Sequence, residues 1–268
     1  MKQSGRIRSR ALYAPFCCAM LLACSDQAHS ATQGWTAPDK TPGAVYQSAK
    51  SDLNNFGRAA ATPGFWRTAA LIGGISLASA VADNSLDRFA VNHGNSGITP
   101  DLKRVGNALP FVAIGYSATM FLASDVDSKP ARTAYSALAA GGVGALSALG
   151  LKYAVGRARP SAELGASSFT PVNGNNGDTS WPSMHTTVIW AMITPYAKSY
   201  DATWLYGMAA VTNAARVIGR DHWFSDTVAG SLLGYAIGNF IWQSHQGEQG
   251  AAVWTIMPNR VAVSWRFD

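Results

Sequence analysis

The stretch Asp226-Thr-Val-Ala-Gly230-Ser-Leu-Leu-Gly234-Tyr-Ala-Ile-Gly238-Asn-Phe-Ile-Trp242-Gln243 carries one charge, at its first residue, and three glycines spaced four apart. That period puts Gly230, Gly234 and Gly238 on the Asp226 face of one helix and opens the face to close helix contact. Five more apolar runs precede it, at about 69–82, 108–124, 134–151, 184–198 and 202–219, with turn residues between them. No alternation of strand and helix patterns crosses this region, which excludes a Rossmann or barrel fold. The expected fold is an all-α six-helix bundle over residues 65–245.

The 268 residues suffice to bury a core without a metal or disulfide staple. Charged residues are only 13%, against a usual value near 25%. Disorder and a coiled coil are excluded on that count. Lys2, Arg6, Arg8 and Arg10 supply four of the formal +6, so the remaining body is nearly neutral and makes no electrostatic case for a nucleic-acid partner. Each run is somewhat shorter than the ~20 residues a spanning helix wants, and the mean hydropathy is only +0.03. Charges nevertheless almost vanish inside the runs, and small residues are dense there. The balance favours association with a membrane over a soluble bundle.

Residues 1–23 have the basic start and short apolar run of a secretory leader. Leu21-Leu22-Ala23-Cys24 resembles a lipoprotein box that would place a lipid on Cys24, and Ala28-His29-Ser30 offers ordinary cleavage after Ser30. An uncleaved anchor is the alternative. Cys17, Cys18 and Cys24 are the only cysteines, so the body has no disulfide or thiolate metal site. Residues 24–64 read as a linker followed by an amphipathic helix, with Val45, Ala49, Leu53 and Phe56 on one stripe. In residues 246–268, Val261, Val263, Trp265 and Phe267 alternate with smaller or polar residues, the period of a strand, and Val253–Ile256 is a candidate hairpin partner.

Because charges are scarce, three clusters stand out. In Lys152-Tyr-Ala-Val-Gly-Arg-Ala-Arg159-Pro160, the seven-residue spacing would put Lys152 and Arg159 on one helix face, with Pro160 ending the helix. Two such cations can grip one anion, although a basic helix end explains them alone equally well. In Ser180-Trp-Pro-Ser183-Met-His185-Thr, a serine caps a helix and the freed amides form an anion cradle that His185 faces. In Arg216-Val-Ile-Gly-Arg-Asp-His222-Trp-Phe-Ser-Asp226, a helical turn would bring the Asp226 carboxylate to His222, fixing its tautomer and freeing the other nitrogen as nucleophile or base. A metal shared by His222 and Asp226 is the competing reading.

Taken in order, the three clusters resemble the signature of the type-2 phosphatidic acid phosphatase and vanadium haloperoxidase superfamily. The likeness covers roughly residues 108–243, at Lys152, Arg159, Pro160, Pro182, Ser183, His185, Arg216, His222 and Asp226. Met184 stands where the family usually has glycine, and Ala215 where serine usually precedes the arginine. The resemblance implies a six-helix bundle that hydrolyses phosphate esters without a metal or other cofactor. His222, held by Asp226, would attack phosphorus, and His185 would protonate the leaving oxygen. Lys152, Arg159, Ser183 and Arg216 would bind the phosphoryl oxygens.

A haloperoxidase would hold vanadate in the same pocket, but such proteins are generally longer. A serine hydrolase built on Ser183 lacks the Gly-x-Ser-x-Gly elbow. A non-enzymatic envelope protein has no use for so many buried charges. The loop Ser161–Ser180, with Asn173-Gly-Asn-Asn-Gly177, borders the expected pocket without naming a head group. An exported, membrane-proximal protein in a bacterial envelope points to lipid phosphates or diphosphates: phosphatidate, phosphatidylglycerophosphate, an isoprenoid diphosphate or lipid A. A soluble periplasmic acid phosphatase is the alternative.

Overall fold

Threonine and serine hydroxyls start three of the helices. Thr41, Thr62 and Ser128 accept from the backbone N–H of Ala44 (3.4 Å), Phe65 (3.4 Å) and Ala131 (3.3 Å), and a proline follows within two residues each time. The hydroxyl satisfies an orphan donor, and the fixed φ of proline suits the first turn. The computed structural model describes residues 35–172 and 179–246, and the backbone of two strands at 252–257 and 260–265, all within the unit Gln33–Asp268. The leader, Cys24 and the Asn173–Gly177 stretch lie outside the described residues.

Among the described residues the helices are α1 (Pro42–Ala60), α2 (Pro63–Ser79), α3 (Asp83–His93), α4 (Thr99–Ala123), α5 (Lys129–Val155), α6 (Met184–Ser199), α7 (Leu205–Ile218) and α8 (Phe224–His245). That is eight α-helices rather than six. Six coincide with the apolar runs and α1 with the amphipathic stretch. Helix α3, rich in Asn, Asp and Arg, has no apolar run to announce it. Strands β1 (Ala252–Met257) and β2 (Arg260–Trp265) pair antiparallel, Trp254 opposite Val263.

Helix α6 packs against α5 and α8 at the centre, and α4 packs against α7. The glycine ladder lies along α6. A Cβ on Gly230 would come within 2.7 Å of the Ser183 carbonyl oxygen, on Gly234 within 2.3 Å of that of Thr187, and on Gly238 within 2.5 Å of that of Ala191. No side chain fits these distances, so α8 approaches α6 backbone to backbone. Ile189, Met192, Ile193, Ile237 and Ile241 fill the space beside the seam.

Helix α1 packs on its own domain. Phe56 meets Phe65 and Phe240 edge-on, at 5.8 and 5.7 Å. Buried Asp52 accepts from the Tyr135 hydroxyl (3.1 Å) and lies 2.9 Å from His245 Nε2, at the end of α8. Ser136 Oγ lies 2.7 Å from the other His245 nitrogen and donates to the Arg132 carbonyl (2.8 Å), while Trp35 stacks on the imidazole at 3.8 Å. This cluster ties residues 35–60 to the bundle. Its serine proton is already committed, so the cluster is a tie rather than a hydrolase triad.

Three segments are long and apolar enough to cross a membrane: Pro63–His93, Thr99–Ala123 and Lys129–Val155. These three are counted among the described residues, and they are consistent with association with a membrane. Leu77, Val81, Phe111, Leu122, Leu146 and Leu149 on these segments are large apolar side chains left exposed.

The seam yields a direct expectation. Gly234→Ala forces α8 off α6 and costs about 1–3 kcal/mol, the usual range for overpacking. Gly73→Ala in α2, where nothing lies within 4 Å, is neutral or slightly stabilising. Thermal unfolding of both variants in detergent measures the contrast, and equal midpoints would contradict the seam.

Candidate active site

Helices α6 and α8 begin side by side, and the Ser183 N–H donates to the Asp226 carbonyl (3.1 Å). His185 lies in the first turn of α6, Asp226 in the first turn of α8, and His222 just before α8. The His222–Asp226 pair therefore straddles a helix start instead of spanning one helical turn. Asp226 Oδ2 accepts from the Trp223 N–H (2.9 Å), which closes the N-terminus of α8.

The first cluster is also built differently from its spacing. Helix α5 ends at Gly156, which takes φ +61°, and a Cβ there would run into the Thr170 carbonyl oxygen. Gly156, not Pro160, is the stop, and Arg159 lies beyond the helix in extended backbone. Lys152 is held from the α5 side by the carbonyls of Thr179 and Ser180 (3.2 Å to the latter). Arg159 Nη2 reaches Thr179 Oγ1 at 3.4 Å. Arg216, from α7, donates to Asn107 Oδ1 (2.9 Å) and pairs with Asp221 (3.2 Å). Three separate segments thus supply the three cations.

Ser183 is the N-cap residue of α6, yet its side chain makes no capping bond. Its Oγ accepts from Thr186 Oγ1 (3.0 Å), which leaves the first-turn amides of α6 uncapped by it. Met184 opens α6 and is not among the residues with positive φ, so its side chain adds no backbone strain. Ala215 is fully buried, and its Cβ would stand 2.3 Å from a Cβ on Gly106, which fixes the α4–α7 approach.

Asp226 is 0% exposed and His222 2%. His222 Nδ1 stands 3.7 Å from Asp226 Oδ2, too long for a hydrogen bond, so that interaction is Coulombic. Ser180 Oγ lies between them, donating to Asp226 Oδ2 (2.5 Å) and 3.4 Å from His222 Nδ1. The imidazole thus shows its Nδ1 side to Ser180 and Asp226.

Burial pushes His222 down to about 3; Asp226 opposes that shift, and the charges of Lys152 and Arg216 reinforce it. His185 falls to about 4, first through burial and then through Arg216, Lys152 and Arg159. Burial alone would raise Asp226, but His222, Arg157 and Ser180 together hold it below its ordinary value. Both histidines are therefore neutral near pH 7, beside Arg159, Arg216 and Lys152, whose own pKa burial and then Arg159 bring down to about 7. Arg159 Nε and Arg216 Nε are buried without a hydrogen-bond partner. Orphaned guanidinium nitrogens in a cationic pocket ask for an anion.

Several residues of the site lie outside the three spaced clusters or between their marked positions. Arg157 is 5% exposed and joins Asp226 Oδ1 (2.5 Å), Ser225 Oγ (2.8 Å) and Asp83 Oδ2 (2.8 Å). Asp83, Ser180 and Ser225 complete this network, and Phe111 meets His185 edge-to-face at 5.9 Å. Arg157 sits inside the quoted basic stretch, and Asp83 is the first charge after the apolar run at 69–82. Their scarcity was the available signal. As for a metal, no group of three His, Cys, Asp or Glu side chains suited to one occurs among the described residues. Arg157, Ser180 and Trp223 already engage both oxygens of Asp226.

The model of the PAP2 superfamily matches residues 132–249, which contain all three clusters. Over that stretch the chain is similar to the PAP2 superfamily, and by class it is a phosphoric ester hydrolase. No curated protein and no solved structure matches it.

An anion in the pocket offsets the three cations and favours protonated His185, so its pKa rises from about 4 towards its ordinary value. NMR titration of the imidazole with and without inorganic phosphate measures this. An unchanged midpoint would mean that phosphate binds elsewhere.

Proposed function

We propose that this protein hydrolyses phosphate monoesters or diphosphates of lipids through a phosphohistidine on His222. The observation that carries the phosphate reading is the pair of buried, partnerless guanidinium nitrogens of Arg159 and Arg216 beside the two histidines. Lys152, Arg159, Arg216 and Ser183 bind the phosphoryl oxygens and the charge that grows on them. The Nε2 lone pair of His222 forms the P–N bond as the bond to the leaving oxygen breaks. That oxygen takes its proton from His185, which becomes protonated once the bound anion has raised its pKa. Water then attacks phosphorus with His185 as base, and the P–N bond breaks to release phosphate. The chain's cations do the work a divalent ion does elsewhere, so the reaction needs no cofactor.

The lipid reading rests on what surrounds His185. The leaving group departs on its side, where Phe111 lies against it. Phe111 is 65% exposed and belongs to α4, one of the three helices apolar enough to cross a membrane. A phosphate whose leaving group is a lipid alcohol can run its chain along that face. The leader of residues 1–23, with Cys24 as a lipid attachment point, supports an exported enzyme at a bacterial envelope membrane with its site facing the periplasm.

His222→Ala abolishes phosphate release, whereas Asp226→Asn keeps a small residual rate because the nucleophile remains but loses its electrostatic partner. Wild-type activity is unaffected by EDTA and inhibited by vanadate. Activity lost in EDTA and restored by zinc or magnesium would replace this mechanism by a metal-dependent one.

Phe111→Ala lowers kcat/KM for a long-chain lipid phosphate about 10-fold or more, in line with loss of a buried apolar contact. Its effect on a soluble aryl phosphate is much smaller. Equal losses on both substrates would favour a soluble acid phosphatase.

A further inference from the structure

We propose that Asp83 is a positioning residue of this phosphatase, which acts on His222 through Arg157 by supplying the negative charge that offsets the charge His222 gains in the reaction. The inference rests on the phosphohistidine reading above.

Asp83 is 1% exposed and begins α3, more than forty residues before the PAP2 match starts. Its Oδ1 accepts from the backbone N–H of Ser225 (2.9 Å), and its Oδ2 accepts from Ser225 Oγ (2.7 Å) and Arg157 Nη2 (2.8 Å). Arg157 Nη1 then donates to Asp226 Oδ1 (2.5 Å). The Arg157 guanidinium also donates to the Ala166 carbonyl, and the rings of Phe169 and Trp223 lie over it at 5.7 and 5.5 Å. Every group in the chain from Asp83 to Asp226 is buried and engaged.

The charges in this network do not cancel. Two carboxylates face one guanidinium, so the network carries −1 behind a neutral His222. When Nε2 bonds to phosphorus, the imidazole keeps its other proton and becomes cationic. Lys152 and Arg216 oppose that change from the pocket side. The surplus negative charge supports it from behind, in a water-poor setting where one charge counts heavily. Without Asp83, Arg157 and Asp226 neutralise each other and the support is lost. The amide of Ser225 lies at the positive end of α8, which stabilises both carboxylates there.

A purely structural anchor would hold α3 to α8 through the same bonds, so the test turns on charge. In the full chain, assayed in detergent on a soluble aryl phosphate, Asp83→Asn keeps the shape and removes the charge. The expected result is a fall in kcat of about 10- to 100-fold, the usual cost of removing a group that tunes another, with KM within about 2-fold. The double variant Asp83→Asn/Arg157→Gln restores the −1 and is several-fold faster than Asp83→Asn alone. Replacing a buried pair together is tolerated far better than breaking it.

An Asp83→Asn kcat equal to wild type overturns the inference. A double variant no faster than the single also overturns it, because an anchor loses further bonds. If Asp83→Asn does not accumulate as folded protein, Arg157→Gln carries the test by NMR. Facing −2, the His222 imidazole titrates at a higher pH than in wild type, and an unchanged midpoint overturns the inference. A wild type that releases phosphate from no ester would overturn the proposed function together with this inference, whereas an active wild type confines any failure to Asp83.

Discussion

Two helices start at one point because three glycines allow it. Where Gly230, Gly234 and Gly238 of α8 lie against α6, any side chain would strike a backbone carbonyl. The seam fixes the starts of α6 and α8 relative to each other to within the width of a backbone. Ser183, His185, His222 and Asp226 all lie at those starts, so site geometry follows from a packing constraint that extends four turns away. Each helix also brings the positive end of its peptide dipoles to the same place.

That convergence creates an electrostatic problem with two answers. Towards the pocket, the helix starts meet Lys152, Arg159 and Arg216; burial first, and then these positive charges, keep both histidines neutral. Away from the pocket, Asp83 and Asp226 meet the start of α8 with Arg157 between them. The surroundings of His222 are thus polarised: Lys152, Arg159 and Arg216 lie on one side, and Asp83 and Asp226 with Arg157 on the other. Unpaired buried charge is costly, and a polyanionic ligand such as a phosphoryl group completes the arrangement.

The surroundings divide along the same line. Helices α6, α7 and α8 carry the histidines, Asp226 and Arg216, and pack inward. The segments 63–93, 99–123 and 129–155 are long and apolar enough for a membrane and keep much apolar surface outside. Those segments are not mere wrapping. Asp83, Asn107, Phe111 and Lys152 reach from them to Ser225, Arg216, His185 and Ser180.

The sequence by itself determined the all-helical class of fold and singled out the candidate site residues. Apolar runs with period-four small residues are a local property of helices, and histidines and cations in a nearly uncharged chain are conspicuous wherever they land. It did not determine how those groups meet. Lys152 and Arg159 read as neighbours on a helix that in fact stops at Gly156, because a left-handed cap depends on the Thr170 backbone packed above it. His222 and Asp226 read as one helical turn, whereas α8 begins between them and Ser180 enters from 42 residues away. Asp83 lies 142 residues from its partner Ser225, and no spacing rule reaches across that separation. Hydrogen bonds and ion pairs between distant segments depend on which surfaces pack together. Only the tertiary structure decided that, since many chain segments offer compatible partners and the packed core selects one set.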